Sequence, residues 1–272
     1  MEKVGIIGYG NMGQAIAERI KDKYTVCVFD EDKNKTTALK NISVAGSLEQ
    51  LIKQSEVIIL AVKPQDFEAL LKQIKSHLEN KLIISIAAGI STRYIKSFLT
   101  QNTRVIRVMP NMPAQVGQGI TVLFKDELIA EADLDIAWRL LNCIGSVISV
   151  KDEQLINAAT AVSGSGPAFF CYYIKDKASA EKKHDAFINQ LTEAAVDLGF
   201  DQSEAKTLAE KTVNGIIVML NEKNLSCADV IKMVSSKGGT TQSGLEVLRS
   251  GGSLKEAVKS AMQRASQLEK RS

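Results

Sequence analysis

Six residues near the start of the chain, Gly8-Tyr9-Gly10-Asn11-Met12-Gly13, have the GxGxxG spacing with which a backbone holds a pyrophosphate. Gly8 permits a tight turn, Gly10 lets the main chain approach phosphate oxygens, and Gly13 lets a helix pack closely on the preceding strand. The start of that helix adds free N–H groups and the positive end of a dipole. Asp30 ends the next apolar run, where a carboxylate accepts a hydrogen bond from an adenosine ribose 2′-hydroxyl and repels a 2′-phosphate. Glu31 and Asp32 add to that repulsion, while Lys33 and Lys35 offset part of it. NADH or NADPH is therefore the expected cofactor, with NADH favoured. The competing reading of Asp30 is a solvated residue at a strand end.

Two later strand ends carry small-residue loops, Ala61-Val62-Lys63-Pro64 and Ala87-Ala88-Gly89, which leave room for the two halves of a dinucleotide. With Ile7 before the first glycine, they complete the expected cofactor contacts. Farther along, Ser163-Gly164-Ser165-Gly166-Pro167 and Ser235-Ser236-Lys237-Gly238-Gly239-Thr240-Thr241 each precede a helical pattern. Such clusters present hydroxyls and backbone N–H groups to a small carboxylate. Helix capping alone also accounts for Ser and Thr at these positions.

The elements that must position these residues follow from periodicity. Apolar runs at 3–8, 25–30, 57–62, 82–86, 103–109, 120–124 and 146–150 alternate with helical patterns at 12–21, 66–77, 92–99 and 134–143. This predicts an α/β fold, with an N-terminal Rossmann domain built on a doubly wound parallel sheet. From Asp152 onward Ala-rich helical stripes cover 154–162, 167–198, 203–220, 227–235, 241–249 and 254–268. The expected division is a dinucleotide-binding domain over 1–151 and an all-helical domain over 152–272. The charged stretch 175–185 reads as a solvated helix face or exposed turn.

Composition narrows the class of partner. The 272 residues carry 34 basic and 31 acidic side chains, interleaved, for a net charge of +3. Nothing in that distribution resembles a footprint for nucleic acid or an anionic membrane, so a small molecule is expected. Cys27, Cys143, Cys171 and Cys227 are dispersed, with neither a CxxC pair nor a metal-ligand spacing, which suits reduced, buried thiols. The N-terminus shows no basic leader or cleavage site, and no apolar stretch reaches spanning length, so a cytoplasmic location is expected. Only two histidines are present, and neither falls in a motif. The chemistry must then do without the usual acid/base group of neutral pH.

Three further blocks, Met109-Pro110-Asn111-Met112-Pro113-Ala114, Val162 to Phe169 and Val234 to Thr241, stand in order behind the GxGxMG start and the AVKP and AAG loops. Together they resemble pyrroline-5-carboxylate reductase over nearly the whole chain. The resemblance implies reduction of the cyclic imine 1-pyrroline-5-carboxylate to L-proline, the last step of proline synthesis, by a reduced nicotinamide. It implies that Gly238, Gly239 and Thr240 hold the substrate carboxylate through backbone N–H groups. It further implies that the Thr241 hydroxyl reaches the ring nitrogen as the catalytic group, and that Glu153 lies beside the substrate with Ser163 and Ser165. Last, it implies a helical domain that interlocks with its twin in a homodimer or higher homo-oligomer. Other readings are a reductase of another cyclic imine or an oxo acid, and a nucleotide-binding protein without catalysis. The sequence departs from the family pattern in two places. Lys237 stands where the family has proline, and the segment between Pro167 and Gly199 is longer by roughly four helical turns, enough to lengthen a helix while keeping its face.

Overall fold

The structure, a computed structural model, describes residues 1–269. Its first part alternates β1 (Lys3–Ile7), α1 (Asn11–Ile20), β2 (Thr25–Phe29), β3 (Ser43–Val44), α2 (Leu48–Gln54), β4 (Val57–Leu60) and α3 (Phe67–Ile74). It continues through β5 (Leu82–Ser85), α4 (Thr92–Phe98), β6 (Arg104–Met109), β7 (Gly119–Lys125), α5 (Glu131–Leu141) and β8 (Gly145–Val150). The strands form one sheet in the order β3-β2-β1-β4-β5-β6-β7-β8.

The central strands are continuously apolar because both faces are covered. Ile16 and Ile20 of α1 and Leu140 of α5 pack on one face. Leu51 of α2, Phe67 and Leu71 of α3 and Ile95 of α4 pack on the other. The order reverses between β1 and β4, which opens a crevice above their carboxyl ends.

Three features differ from the sequence expectation. β3 and α2 lie in a segment for which periodicity gave no element. β3 has two residues, too few to show a period, and α2 is a seven-residue helix whose start is marked by Ser47, which accepts from the Gln50 N–H. The sheet is mostly parallel, but β7 runs antiparallel to β6. Only a short 3₁₀ turn (Met112–Val116) joins them, and without a crossover helix the chain must return in the opposite direction.

The remaining residues form α6 (Gln154–Ala159), a π turn (Thr160–Gly164), α7 (Gly166–Ile174), α8 (Ala180–Asp197), α9 (Gln202–Glu222), α10 (Cys227–Val234), α11 (Thr240–Arg249) and α12 (Leu254–Leu268). Phe169, Phe170, Phe187, Leu191 and Met219 share a core with Ile120, Val122 and Val150 of the sheet, so the helices pack against its β7–β8 end. The third difference is here. The helical stripe over 167–198 is two helices, and the extra length makes a turn instead of lengthening one helix. Lys175 adopts a left-handed conformation (φ +68°), and Asp176 caps the 3₁₀ turn Lys177–Ser179 by accepting from the Ser179 N–H.

All four cysteines are free thiols. Among the described residues no cluster of metal-ligating side chains occurs, and no helix is long and apolar enough to cross a membrane.

Candidate active site

Ile7 is in register with both Phe29 and Leu60, so the loops after β1, β2 and β4 begin at one height. They bring Ile7, Gly8, Gly10, Asp30, Ala61, Val62 and Lys63 around one cleft of about 260 Å³. Gly8 has φ +101°, and a Cβ there would lie 2.6 Å from the Ala61 carbonyl oxygen. A Cβ on Gly13 would collide with the Gly8 carbonyl, whereas Gly10 has nothing within 4 Å of that position. The two outer glycines thus serve packing, and the middle one exposes backbone to open space. Gly10 also caps α1 without a side chain, leaving the first N–H groups of the helix for an anionic ligand. This cradle fits the pyrophosphate of NAD(P)H.

Asp30 stands at the cleft wall with its carboxylate heavily engaged. It accepts from the Tyr9 N–H at 2.7 Å and the Asp32 N–H at 2.9 Å, and both oxygens meet Lys35 Nζ, at 3.0 and 3.1 Å. Burial opposes ionisation, but these bonds outweigh it and hold the carboxyl below its ordinary range. Tyr9 contributes main chain only. Its ring is buried, its hydroxyl meets Glu18 at 3.4 Å, and burial together with that carboxylate pushes its pKa up to about 12. Asn11 is exposed on the first turn of α1, and Met12 leans on the sheet core. Pro64 opens a 3₁₀ turn beside the cleft. Ala87, Ala88 and Gly89 lie apart from this cleft, after β5, where a Cβ on Gly89 would be 3.0 Å from the Leu268 carbonyl at the end of α12.

The second group of expected residues meets on the helices. The π turn after α6 is closed by Ser165, whose N–H and hydroxyl both donate to the Thr160 carbonyl, at 3.0 and 3.1 Å. Thr241 Oγ donates to Ser165 Oγ at 3.1 Å, and Thr240 Oγ lies 3.2 Å from the same atom. Gly244, one turn along α11, makes this meeting possible, because a Cβ there would collide with the Phe169 ring on α7. Ser163 does not join: its hydroxyl turns back to the Ala159 carbonyl at 3.0 Å. The Gly238 N–H is occupied by Gln242 Oε1 at 2.7 Å, and the Gly239 N–H by the Ser236 carbonyl at 3.0 Å. The donors left at this helix start are therefore the N–H groups of Thr240, Thr241 and Gln242, since Gly239 caps α11 without a side chain.

Glu153 is set between the sheet and the helices. Its Oε1 accepts from the Thr92 N–H at 2.7 Å and Arg107 Nη1 at 3.0 Å, and its Oε2 from the Thr92 hydroxyl at 2.8 Å. Arg107 is fully buried and also reaches Asn157 Oδ1 at 2.9 Å and Glu269 Oε1 at 3.3 Å. Sequence reasoning passed over Arg107, Thr92 and Asn157. A signal was present for Arg107: a cation in the middle of the strand RVIRVM, flanked by Ile106 and Val108, must have an anionic partner.

A phosphate cradle at the topological switch of a mostly parallel sheet, with a helical region carrying a hydroxyl cluster, defines a nicotinamide-dependent oxidoreductase of Rossmann type. Residues 3–89 match the family described as NADP oxidoreductase, coenzyme F420-dependent, and residues 184–271 match the pyrroline-5-carboxylate reductase dimerisation region. The chain is 32% identical to the pyrroline-5-carboxylate reductase of Aquifex aeolicus, over 99% of this chain and 97% of that one. The solved reductase of Coxiella burnetii superposes with a TM-score of 0.66 at 31% identity, covering 98% of each chain. The NADP-bound pyrroline carboxylate reductase of Plasmodium falciparum gives 0.65 at 26% identity, over 99% of this chain and 98% of that one. The chain belongs to the pyrroline-5-carboxylate reductase family, whose reaction is the NAD(P)H-dependent final step of proline biosynthesis.

Proposed function

We propose that this protein reduces 1-pyrroline-5-carboxylate to L-proline, with Thr241 as the group that orients the imine. The observation that carries this reading is the Thr241–Ser165 pair at the uncapped start of α11. Bound NADH or NADPH supplies the hydride. A protonated imine is already electrophilic, so the protein's task is to align it and to stabilise its charges, with no histidine needed. Because the Thr241 proton is directed to Ser165, the Thr241 oxygen accepts from the iminium N–H. The free N–H groups of Thr240, Thr241 and Gln242 hold the substrate carboxylate. Glu153 acts at one remove, through Arg107 and Thr92, by tying the start of α6 to β6 and α4.

On the cofactor side, Gly8, Gly10 and Gly13 with Asn11 and Met12 cradle the pyrophosphate. Ile7, Ala61, Val62 and Lys63 line the cleft with Tyr9 and Pro64 next to them in the chain, and Ala87, Ala88 and Gly89, beyond β5, would meet the nicotinamide half. Asp30 favours NADH through the ribose 2′-hydroxyl. Lys35, released from Asp30, would pair with a 2′-phosphate, which keeps the preference modest. The Rossmann unit extends to about residue 151, and the helical unit beyond it carries the substrate site and the contacts of a homodimer or higher homo-oligomer. The protein acts in the cytoplasm. Consumption of NADH and NADPH, measured side by side with 1-pyrroline-5-carboxylate, tests the reading; no oxidation of either cofactor would overturn it.

A further inference from the structure

We infer that Arg264 recognises the substrate's carboxylate and so determines specificity for an imino acid over a plain imine. The inference rests on the functional reading above. Gly238, the pivot of the loop before α11, has φ +68° and both of its backbone polar groups held by side chains. Gln242 takes its N–H at 2.7 Å, and Arg264 Nε donates to its carbonyl at 2.6 Å. Arg264 reaches the loop from α12, where Nη1 is steadied by Gln267 Oε1 at 3.2 Å. Its Nη2 lies 3.5 Å from the point a Cβ on Gly238 would occupy, and among the described residues it has no hydrogen-bond partner.

The guanidinium is thus partly buried, oriented by two of its three nitrogens, and leaves the third without a partner beside Gly238, two residues before the first free N–H group of α11. A fork held in this way is pre-organised for a carboxylate, at little further entropy cost. Lys237, next in the loop, is exposed on a flexible stem and has no such orientation. Leu268, one turn beyond Arg264 on α12, touches the Gly89 loop. The same helical turn that holds the substrate loop therefore also meets the end of β5.

The test compares wild type, Arg264→Met, Arg264→Lys and Lys237→Ala, at saturating NADH, with 1-pyrroline-5-carboxylate and with 1-pyrroline, the same ring without the carboxylate. Arg264→Met is expected to lower the ratio of kcat/KM for the acid over that for 1-pyrroline about tenfold or more, chiefly through KM of the acid, as loss of a charge-assisted bond implies. Arg264→Lys recovers part of the ratio, and Lys237→Ala changes it less than twofold, roughly the size of an exposed charge effect. The inhibition constant of L-proline, which keeps the carboxylate, rises with the KM and provides a readout independent of 1-pyrroline turnover. Equal loss on both substrates, or an unchanged inhibition constant for L-proline, would show that Arg264 merely supports the loop. Failure of the wild type to reduce 1-pyrroline-5-carboxylate would instead overturn the functional reading itself.

Discussion

Thr241 donates its hydroxyl proton to Ser165 Oγ across 3.1 Å, and Ser165 passes its own to the Thr160 carbonyl. A carbonyl oxygen can only accept, so the group at the end of this chain sets the polarity of every bond before it. Thr241 is left with lone pairs for a ligand. The unusual backbone of the π turn is what aims Ser165 at it.

Thr241→Ala is expected to lower kcat with 1-pyrroline-5-carboxylate by about 10²-fold, the scale of a lost electrostatic group at a reacting centre. Binding of NADH, followed by fluorescence titration, should stay within about twofold, well below the tenfold that 1.4 kcal/mol represents. Parallel losses in both would remove Thr241 from the substrate site. Ser165→Ala should reproduce part of the loss, and the double variant should fall short of the product of the two single effects, because the residues share one hydrogen-bond chain.

In the proposed reading, Asp30 governs the choice between NADH and NADPH. Asp30→Ser removes the carboxylate while freeing Lys35, so the ratio of kcat/KM for NADPH to that for NADH should rise about tenfold, equivalent to one charge-assisted bond. Steady-state kinetics with each cofactor measures it, and an unmoved ratio would make Asp30 no more than a turn residue.

Arg107 should matter more for stability than its distance from the cleft suggests. Its side chain is 0% exposed and serves Glu153, Asn157 and Glu269 together. Arg107→Met leaves the Glu153 and Glu269 carboxylates without their buried cation and the Asn157 amide oxygen without its donor, a loss of about 3–5 kcal/mol for breaking a buried pair. Urea unfolding would report it; a change below about 1 kcal/mol, the size of a surface pair, would mean water replaces the guanidinium.

His184 should titrate high. Both ring nitrogens face oxygens, Asn214 Oδ1 and Asp185 Oδ1, each at 2.7 Å, and these raise its pKa above the ordinary imidazole value, with the Asn214 bond the largest cause. The protonated ring is therefore favoured in the folded chain. The stability it contributes is fully present below the unfolded pKa of about 6.5 and is lost as pH rises through the folded value. An NMR titration of the ring protons should show a midpoint above that of a free peptide, and the stability gap between wild type and His184→Asn should close in alkali. A midpoint at or below the peptide value would sink the assignment.

Much of the first half was legible in the chain because it is local. The glycine spacing, the strand before it and Asp30 lie within thirty residues, and each depends on backbone conformations that its own residue types favour. The substrate side was legible only as types. Ser163 and Ser165 look alike in sequence, yet one bonds back to its own helix and the other meets Thr241. Gly238 and Gly239 suggest open N–H groups, and both are closed by neighbours, which moves the free donors to Thr240 and the residues after it.

By itself, then, the sequence determined the alternation of strand and helix, the glycine turn after β1 and the family. Tertiary structure alone decided the joins: Ser165 to Thr241 across 76 positions, Arg107 to Glu153 across 46, and Arg264 to Gly238 across 26. The physical reason lies in what a periodic pattern can encode. An apolar stripe says which face of a helix is buried, but the partner, its depth and its angle follow from how side chains on separate elements interlock, and a missing Cβ at Gly244 settles one such fit.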